Sequence, residues 1–251
     1  MPDPLHFDVH AEAYDRGRPP YPAVLWTELK GLGLVRAGVR VVDLGAGSGL
    51  ATGPLLEAGA SVDAVEPGTA LADRLRSRWP DAVVQVDTAE RVELPSGAYD
   101  LAVAATAVHW FDLDVVLPKL HRALRPGGHF AVWRNAFGDP DVAITPFRRR
   151  VEEIVARRHD ARPRARGELD TDAWATRLAS TGHFEVTHIR HFRWSIDMRT
   201  EQIRDLFTTF SDWNGTEVAA ATRAVEELGG RVTEHYVTPL IVLRRAAVTP
   251  S

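Results

Sequence analysis

A chain of 251 residues is long enough to bury one substantial core, and α/β domains of this length need not split in two. Apolar residues make up 45% and charged residues 25%, a globular composition that excludes a disordered or fibrous chain. The absence of cysteine excludes disulfides, thiolate metal sites and a thiol nucleophile, while 30 basic against 34 acidic side chains, a net charge of -4, leave no global positive field for a nucleic-acid backbone.

The start, Met1-Pro2-Asp3-Pro4, has neither a basic opening nor an apolar stretch of signal-peptide length, and no run approaches the ~18 apolar residues of a membrane span. The expectation is a cytoplasmic protein with no membrane, nucleic-acid or metal partner. Val39 to Leu44 (V-R-V-V-D-L) predicts a buried parallel strand running into a glycine turn. Leu50 to Ala58 then reads as a helix stopped by Gly59, with Pro54 trimming or bending its first turns. Ser61 to Val65 is the second strand. Leu71, Leu75 and Trp79 recur at i, i+4 and i+8, which predicts a helix over Ala70 to Trp79 closed by Pro80. A third strand follows at Val83 to Val86 and a fourth at Asp100 to Ala105, after a polar loop around Glu93 to Gly97. Leu113, Val116, Leu117, Leu120 and Leu124 form the stripe of another helix, which Pro118 should kink. The turn Arg125-Pro126-Gly127-Gly128 leads into a fifth strand, His129 to Trp133. Strand and helix alternate from 39 to 133, the pattern of an α/β, Rossmann-like, doubly wound and mostly parallel sheet covered on both faces.

Past Trp133 the alternation loosens. Phe147, Val151, Ile154 and Val155 mark one amphipathic helix, and Trp174 with Leu178 another that ends at Gly182. Strands at Phe184 to Trp194 and near Tyr236 to Leu243 enclose helical stretches at about 200–210 and 216–229. The expected organisation is a single domain over 1–251 with a core at 39–135. Helical cap insertions are expected at 136–183 and 195–230, and 1–35 as an N-terminal cap, since long insertions in compact enzymes commonly form lids or binding walls. Eight arginines between 148 and 166 (Arg148, Arg149, Arg150, Arg157, Arg158, Arg162, Arg164 and Arg166) are interleaved with Glu152, Glu153 and Asp160. That mixture reads as a solvated helix face, with phosphate contact as the alternative.

The stretch Asp43-Leu44-Gly45-Ala46-Gly47-Ser48-Gly49 lies between a predicted strand and a predicted helix. Glycines at alternate positions let backbone lie directly against a ligand, and free N–H groups at a helix start face an acceptor such as a carboxylate. Glu66 ends the second strand 17 residues after Gly49, where an acid can accept hydrogen bonds from two ribose hydroxyls. Dinucleotide enzymes use G-x-G-x-x-G; here the third glycine of that spacing is Leu50, and Asp43 would repel a pyrophosphate but suits the ammonium of an amino acid.

V-V-D-L-G-A-G-S-G, A-V-E-P and L-R-P-G-G, in this strand order over roughly 39–135, resemble the class I S-adenosylmethionine-dependent methyltransferases. Phe7, Ala11, Tyr14, Arg18, Pro19, Tyr21 and Pro22, with His109-Trp110-Phe111-Asp112, resemble a small-molecule subgroup that includes trans-aconitate methyltransferase-like enzymes. The resemblance implies S-adenosyl-L-methionine as cofactor, S-adenosyl-L-homocysteine as product, and a small-molecule methyl acceptor. By it, Gly45, Ala46, Gly47 and Gly49 contact the methionine part near Asp43, and Glu66 holds the ribose. Asp87, Thr88 and Ala89 lie by the adenine, although a glycine is usual where this chain has Val86 or Asp87. Ala105 and Thr106 offer backbone to the amino-acid end, and Tyr14 and Arg18 close on its carboxylate.

His109 falls just beyond the fourth strand, at the edge where open α/β sheets bind ligands. Its imidazole is a candidate base for a substrate hydroxyl, or a packing group beside Trp110 and Phe111. Trp110 and Trp133 are candidate pocket walls or ordinary core aromatics, and Arg134 a partner for a substrate carboxylate or for a neighbouring acid. A non-catalytic module binding the same nucleoside and a nicotinamide oxidoreductase are the rival readings.

Overall fold

In the computed structural model, which describes residues 6–158 and 170–247, the chain runs α1 (His6–Val9), α2 (Ala11–Gly17), α3 (Ala23–Gly31), β1 (Arg40–Leu44), α4 (Thr52–Glu57), β2 (Ser61–Val65), α5 (Thr69–Arg78), β3 (Val83–Gln85) and β4 (Tyr99–Ala105). After a 3-10 turn at Val108–Trp110 come α6 (Leu113–Ala123), β5 (Leu124–Trp133), β6 (Ala136–Phe137), α7 (Pro146–Ala156), α8 (Thr171–Ala179), β7 (Phe184–Arg199), α9 (Thr200–Thr208), α10 (Gly215–Glu227) and β8 (Arg231–Arg245). These elements group into two compact units. One holds Tyr21–Asn135, Asp170–Phe192 and the described residues from Thr238 on; the other holds the described parts of Met1–Pro20, Ala136–Leu169 and Arg193–Val237.

In the first unit the strand order is β3-β2-β1-β4-β5-β8, with β1 to β5 parallel and β8 antiparallel to β5. Successive side chains on a strand point to opposite faces, so each strand feeds two cores. Val41, Leu101, Val103, Ala131 and Val242 pack with Leu25 and Leu29 of α3 and Leu55 of α4. Val42, Ala102, Ala104, Phe130 and Leu243 pack with Leu113, Val116, Leu117 and Leu120 of α6 and Leu178 of α8. Both faces are therefore covered, which is why the strands read as nearly continuous apolar runs. The α8 helix, within the insertion expected over 136–183, packs in this unit through Ala175 and Leu178.

Local differences from the sequence expectation have local causes. The Arg125–Gly128 turn is a bulge within β5 rather than its start: Tyr99 pairs with Leu124 and Leu101 with His129. Gly127, at φ 78°, takes the left-handed conformation that this detour requires. The α4 helix starts at Thr52 rather than Leu50, after the loop that ends in Gly49. Pro118 lies inside α6, which runs on to Ala123.

The second unit has its own core. Phe147 and Val151 of α7, Ile203, Leu206 and Phe207 of α9, Val218, Ala221 and Val225 of α10, Met198 of β7 and Val232 of β8 come together. A Cβ on Gly17 would lie 2.3 Å from the backbone nitrogen of Leu206, so glycine there lets α2 lie directly against α9. Within the arginine run, Arg148 pairs with Glu234, Arg150 with Glu153 and Glu227, and Arg158 with Glu217 and Asp212. Arg162, Arg164, Arg166 and Asp160 lie outside the described residues. Among the described residues no helix is long and apolar enough to cross a membrane, and no group of three or more His, Cys, Asp or Glu is placed to hold a metal ion.

Candidate functional site

Strand β1 lies between β2 and β4, and the winding of the sheet reverses there, the place where doubly wound sheets leave a crevice at the carboxyl ends of their strands. Four segments leave that edge: the glycine loop after β1, Glu66 after β2, Asp87 to Ala89 after β3, and Thr106 with the 3-10 turn after β4.

The loop is folded back on the sheet. Gly45, Gly47 and Gly49 have φ of 70°, 58° and 92°, where a Cβ is unfavourable by about 1–2 kcal/mol. The N–H groups of Gly45 and Ala46 both donate to the carbonyl of Val65, at 2.8 and 3.1 Å. A Cβ on Gly45 would come within 2.6 Å of the Ala107 methyl, and one on Gly49 within 2.7 Å of the Trp79 ring. Glycine is thus required by conformation and by space at both positions. Glu66, 6% exposed, braces the loop from β2: its Oε2 accepts from Gly47 N at 2.8 Å and its Oε1 from Gly68 N at 2.9 Å.

Asp43, the penultimate residue of β1, is wholly buried. Its Oδ2 accepts from Thr52 Oγ1 at 2.7 Å, while Oδ1 has no hydrogen-bond partner among the described residues. Loss of solvent pushes its carboxyl up to about 7; the Thr52 hydroxyl opposes that rise and the negative charge of Glu66 adds to it. A cation beside Oδ1 would complete its hydrogen bonding and restore its charge. The arrangement is a fixed anion and a cradle of bare backbone, with a second carboxylate alongside.

The remaining expected positions fall as follows. Ala105 is the last residue of β4. Thr106 is the one described non-glycine residue with positive φ, at 59°; its N–H donates to Trp133 O at 2.7 Å and its hydroxyl bonds the Tyr21 hydroxyl at 3.0 Å. In the β3 segment, Thr88 N donates to Asp87 Oδ1 at 2.9 Å, and the buried Ala89 offers its carbonyl to Lys119 Nζ at 3.1 Å. His109 is exposed, with its ring centroid 5.0 Å from that of Trp110. Arg134 is half-buried, directly after β5.

Trp133 does not wall a pocket. It is 1% exposed, with Tyr21 and Trp26 packed edge-on against it at 5.7 and 5.8 Å, because its position in β5 points into the α3 side of the core. Tyr14 and Arg18 belong to the second unit. There Arg18 Nε donates to Thr209 Oγ1 at 3.0 Å, and its guanidinium lies 5.1 Å from the ring centroids of both Tyr14 and Phe210.

Three residues of the site were not singled out from sequence. In sequence Thr52 is one position of the helix expected over 50–58, although a hydroxyl in the first turn after a strand-loop unit is a reasonable partner for the strand's acid. Trp79 was counted in an apolar stripe, whereas its ring lies under Gly49 and Gly53. Tyr21 is among the N-terminal residues that carry the subgroup resemblance, which implies no role for it.

Residues 42–132 match the family model described as a methyltransferase domain. An uncharacterized methyltransferase of Mycobacterium tuberculosis (strain H37Rv) is 41% identical over 134 residues, 52% of this chain and 53% of the relative. The chain spans about half the length of the first curated relatives it matches. Among solved structures, a candidate type II methyltransferase of Anaeromyxobacter dehalogenans is 25% identical with a TM-score of 0.58, covering 93% of this chain and 99% of that one. The phosphoethanolamine N-methyltransferase 2 of Haemonchus contortus, solved with phosphomonomethylethanolamine and S-adenosylhomocysteine, is 16% identical with a TM-score of 0.55, covering 96% and 58%. Residues 42–132 are therefore similar to a methyltransferase domain, in keeping with the class I resemblance of the glycine loop and the strand order.

Proposed function

We propose that this chain is an S-adenosylmethionine-dependent methyltransferase that acts on an oxygen, or another nucleophilic atom, of a small molecule. The observation that carries the reading is the buried Asp43 carboxylate, with one oxygen unbonded beside a loop whose backbone is bare at Gly45, Gly47 and Gly49. Such a pair suits the ammonium and backbone-facing parts of an aminoacyl tail, and it disfavours a pyrophosphate. Ala46 belongs to the same cradle, and Ala105 and Thr106 face the same tail. Glu66 is assigned to the ribose hydroxyls, and Asp87, Thr88 and Ala89 to the adenine. The cofactor found with the Haemonchus enzyme supports the assignment.

When bound, the cofactor supplies a methyl group activated by a sulfonium. The protein's own task is alignment and exclusion of water. Asp43 and the loop fix one end of the cofactor and Glu66 its middle. His109 is assigned as acceptor of the substrate hydroxyl's proton, with Trp110 orienting its ring, and Arg134 is assigned to the acceptor's polar group. A carboxylate acceptor is ionised at neutral pH and needs no base. His109→Ala should therefore slow methylation of hydroxyl acceptors by ~10²-fold and leave carboxylate acceptors nearly unchanged. Parallel turnover assays on both classes check this, and an unchanged hydroxyl rate rejects the base.

The cofactor assignment is tested by calorimetry. S-adenosylhomocysteine should bind one to one and NAD should give no heat; the reverse would overturn the proposal.

A further inference from the structure

The second unit contains a polar centre that the cofactor reading does not use. Along the first half of β8, Val232, Glu234 and Tyr236 are buried while Arg231 and Thr233 are exposed, so Glu234 and Tyr236 project from one face. Glu234 is 0% exposed; its Oε2 pairs with Arg148 Nη2, and its Oε1 has no hydrogen-bond partner among the described residues. Tyr236 is 1% exposed, and its hydroxyl likewise has none. The charges of Glu234, Arg148 and Arg18 all bear on that hydroxyl.

The surroundings are aromatic. The Tyr236 ring stacks on Trp194 at 4.8 Å with planes 17° apart, and lies 4.8 Å from Phe137. Phe137 supports the Arg148 guanidinium at 4.0 Å from its centroid and packs against Phe210 at 5.6 Å. Buried polar atoms nearly always find a partner, so two orphans on one strand face call for a shared one. A carboxylate oxygen accepts and a phenol both donates and accepts. One hydroxyl group satisfies both, by donating to Glu234 Oε1 and accepting from Tyr236. A ligand carboxylate would set like charge against Glu234. An ammonium could donate to both atoms, but it would leave the Tyr236 O–H without an acceptor and would lie in the field of Arg148 and Arg18.

We propose that Glu234 and Tyr236 bind the hydroxyl group of an aromatic alcohol of the phenol class, with Phe137 and Trp194 beside its ring. This goes beyond the proposed function: the site lies wholly within the second unit and is argued from that unit's own residues.

The test is calorimetry on the full chain with 4-ethylphenol, 4-ethylbenzoate and 4-ethylbenzylamine as probes, each with and without S-adenosylhomocysteine. The phenol should bind one to one, at least about tenfold more tightly than the other two. Tyr236→Phe removes only the unbonded hydroxyl. It should weaken phenol binding about tenfold while leaving thermal stability and S-adenosylhomocysteine binding unchanged. Glu234→Gln should weaken phenol binding as well, but it also alters the pair with Arg148, so Tyr236→Phe decides. No phenol binding in the parent, binding undiminished in Tyr236→Phe, or a preference for the benzoate would each overturn the proposal. Phenol binding that persists when S-adenosylhomocysteine does not bind would instead reject the cofactor reading and leave this site standing.

Discussion

Asp43→Asn is expected to weaken S-adenosylhomocysteine binding by ~100-fold or more at pH 8, since removing one partner of a buried charge-assisted pair forfeits about 3 kcal/mol. The amide keeps the size of the side chain and can still accept from Thr52, so the fold should survive. The sharper signature is in pH. In the free protein the Asp43 carboxyl titrates near 7, whereas an ammonium at Oδ1 would hold it ionised well below that. Uptake of the ligand then expels a proton wherever the free protein still carries one. Affinity in the parent should therefore rise with pH up to about 7 and level off above it, and in Asp43→Asn it should be flat. Equal slopes in parent and variant would remove Asp43 from the cofactor site.

Stability carries the complementary prediction, with the opposite sign. An acid whose folded pKa is raised contributes no penalty below its unfolded value, since both states are then protonated. Between about 4 and about 7 the unfolded chain releases a proton that the folded chain retains, so the folded state loses ground as pH rises. The full loss is on the order of 4 kcal/mol for a group this deeply buried. Asp43→Asn is relieved of it, so the gap in Tm between the ligand-free variant and the parent should widen from pH 4 to pH 7 in the variant's favour. Glu234, raised to about 7 mainly by burial with Arg148 opposing, falls in the same window but is present in both proteins and cancels in the difference.

What was legible in the sequence is what periodicity and backbone chemistry encode. The strands of the parallel sheet are short β-branched runs because both faces are covered, and the loop after β1 announces itself because only glycine tolerates φ near 70° beneath Ala107. The partnerships of buried polar groups were not legible. Nothing in the order of residues says that Thr52 answers Asp43, or that the Tyr21 hydroxyl meets Thr106 across 85 positions. The same limit explains Trp133: a tryptophan at the carboxyl end of a strand suits a ligand wall or a core, and the facing rings of Tyr21 and Trp26 decide it. Strand β8 begins at Arg231, ahead of the Tyr236 to Leu243 run expected from sequence: Thr233, Glu234 and His235 are polar, although alternate residues there are buried.

Glu66→Gln should be nearly as damaging as Asp43→Asn, for a different reason. Both carboxylate oxygens of Glu66 already accept backbone N–H groups, from Gly47 and from Gly68, and the two ribose hydroxyls assigned to it would donate to the same oxygens. Every one of these partners is a donor. An amide offers one accepting oxygen and turns its NH2 toward one of the donors, so either the loop at Gly47 or the turn at Gly68 loses its anchor whichever way the side chain is flipped. The expected result is ~100-fold weaker S-adenosylhomocysteine binding, together with faster hydrogen exchange at the Gly47 or Gly68 amide in the ligand-free protein. Removing the charge of Glu66 also removes one of the two influences that raise Asp43, so the pH at which residual affinity levels off should move below its position in the parent. Weak binding with an unmoved midpoint would mean that the two carboxylates act independently. Affinity within threefold of the parent would show that the ribose is held elsewhere, and that Glu66 serves only to pin the loop.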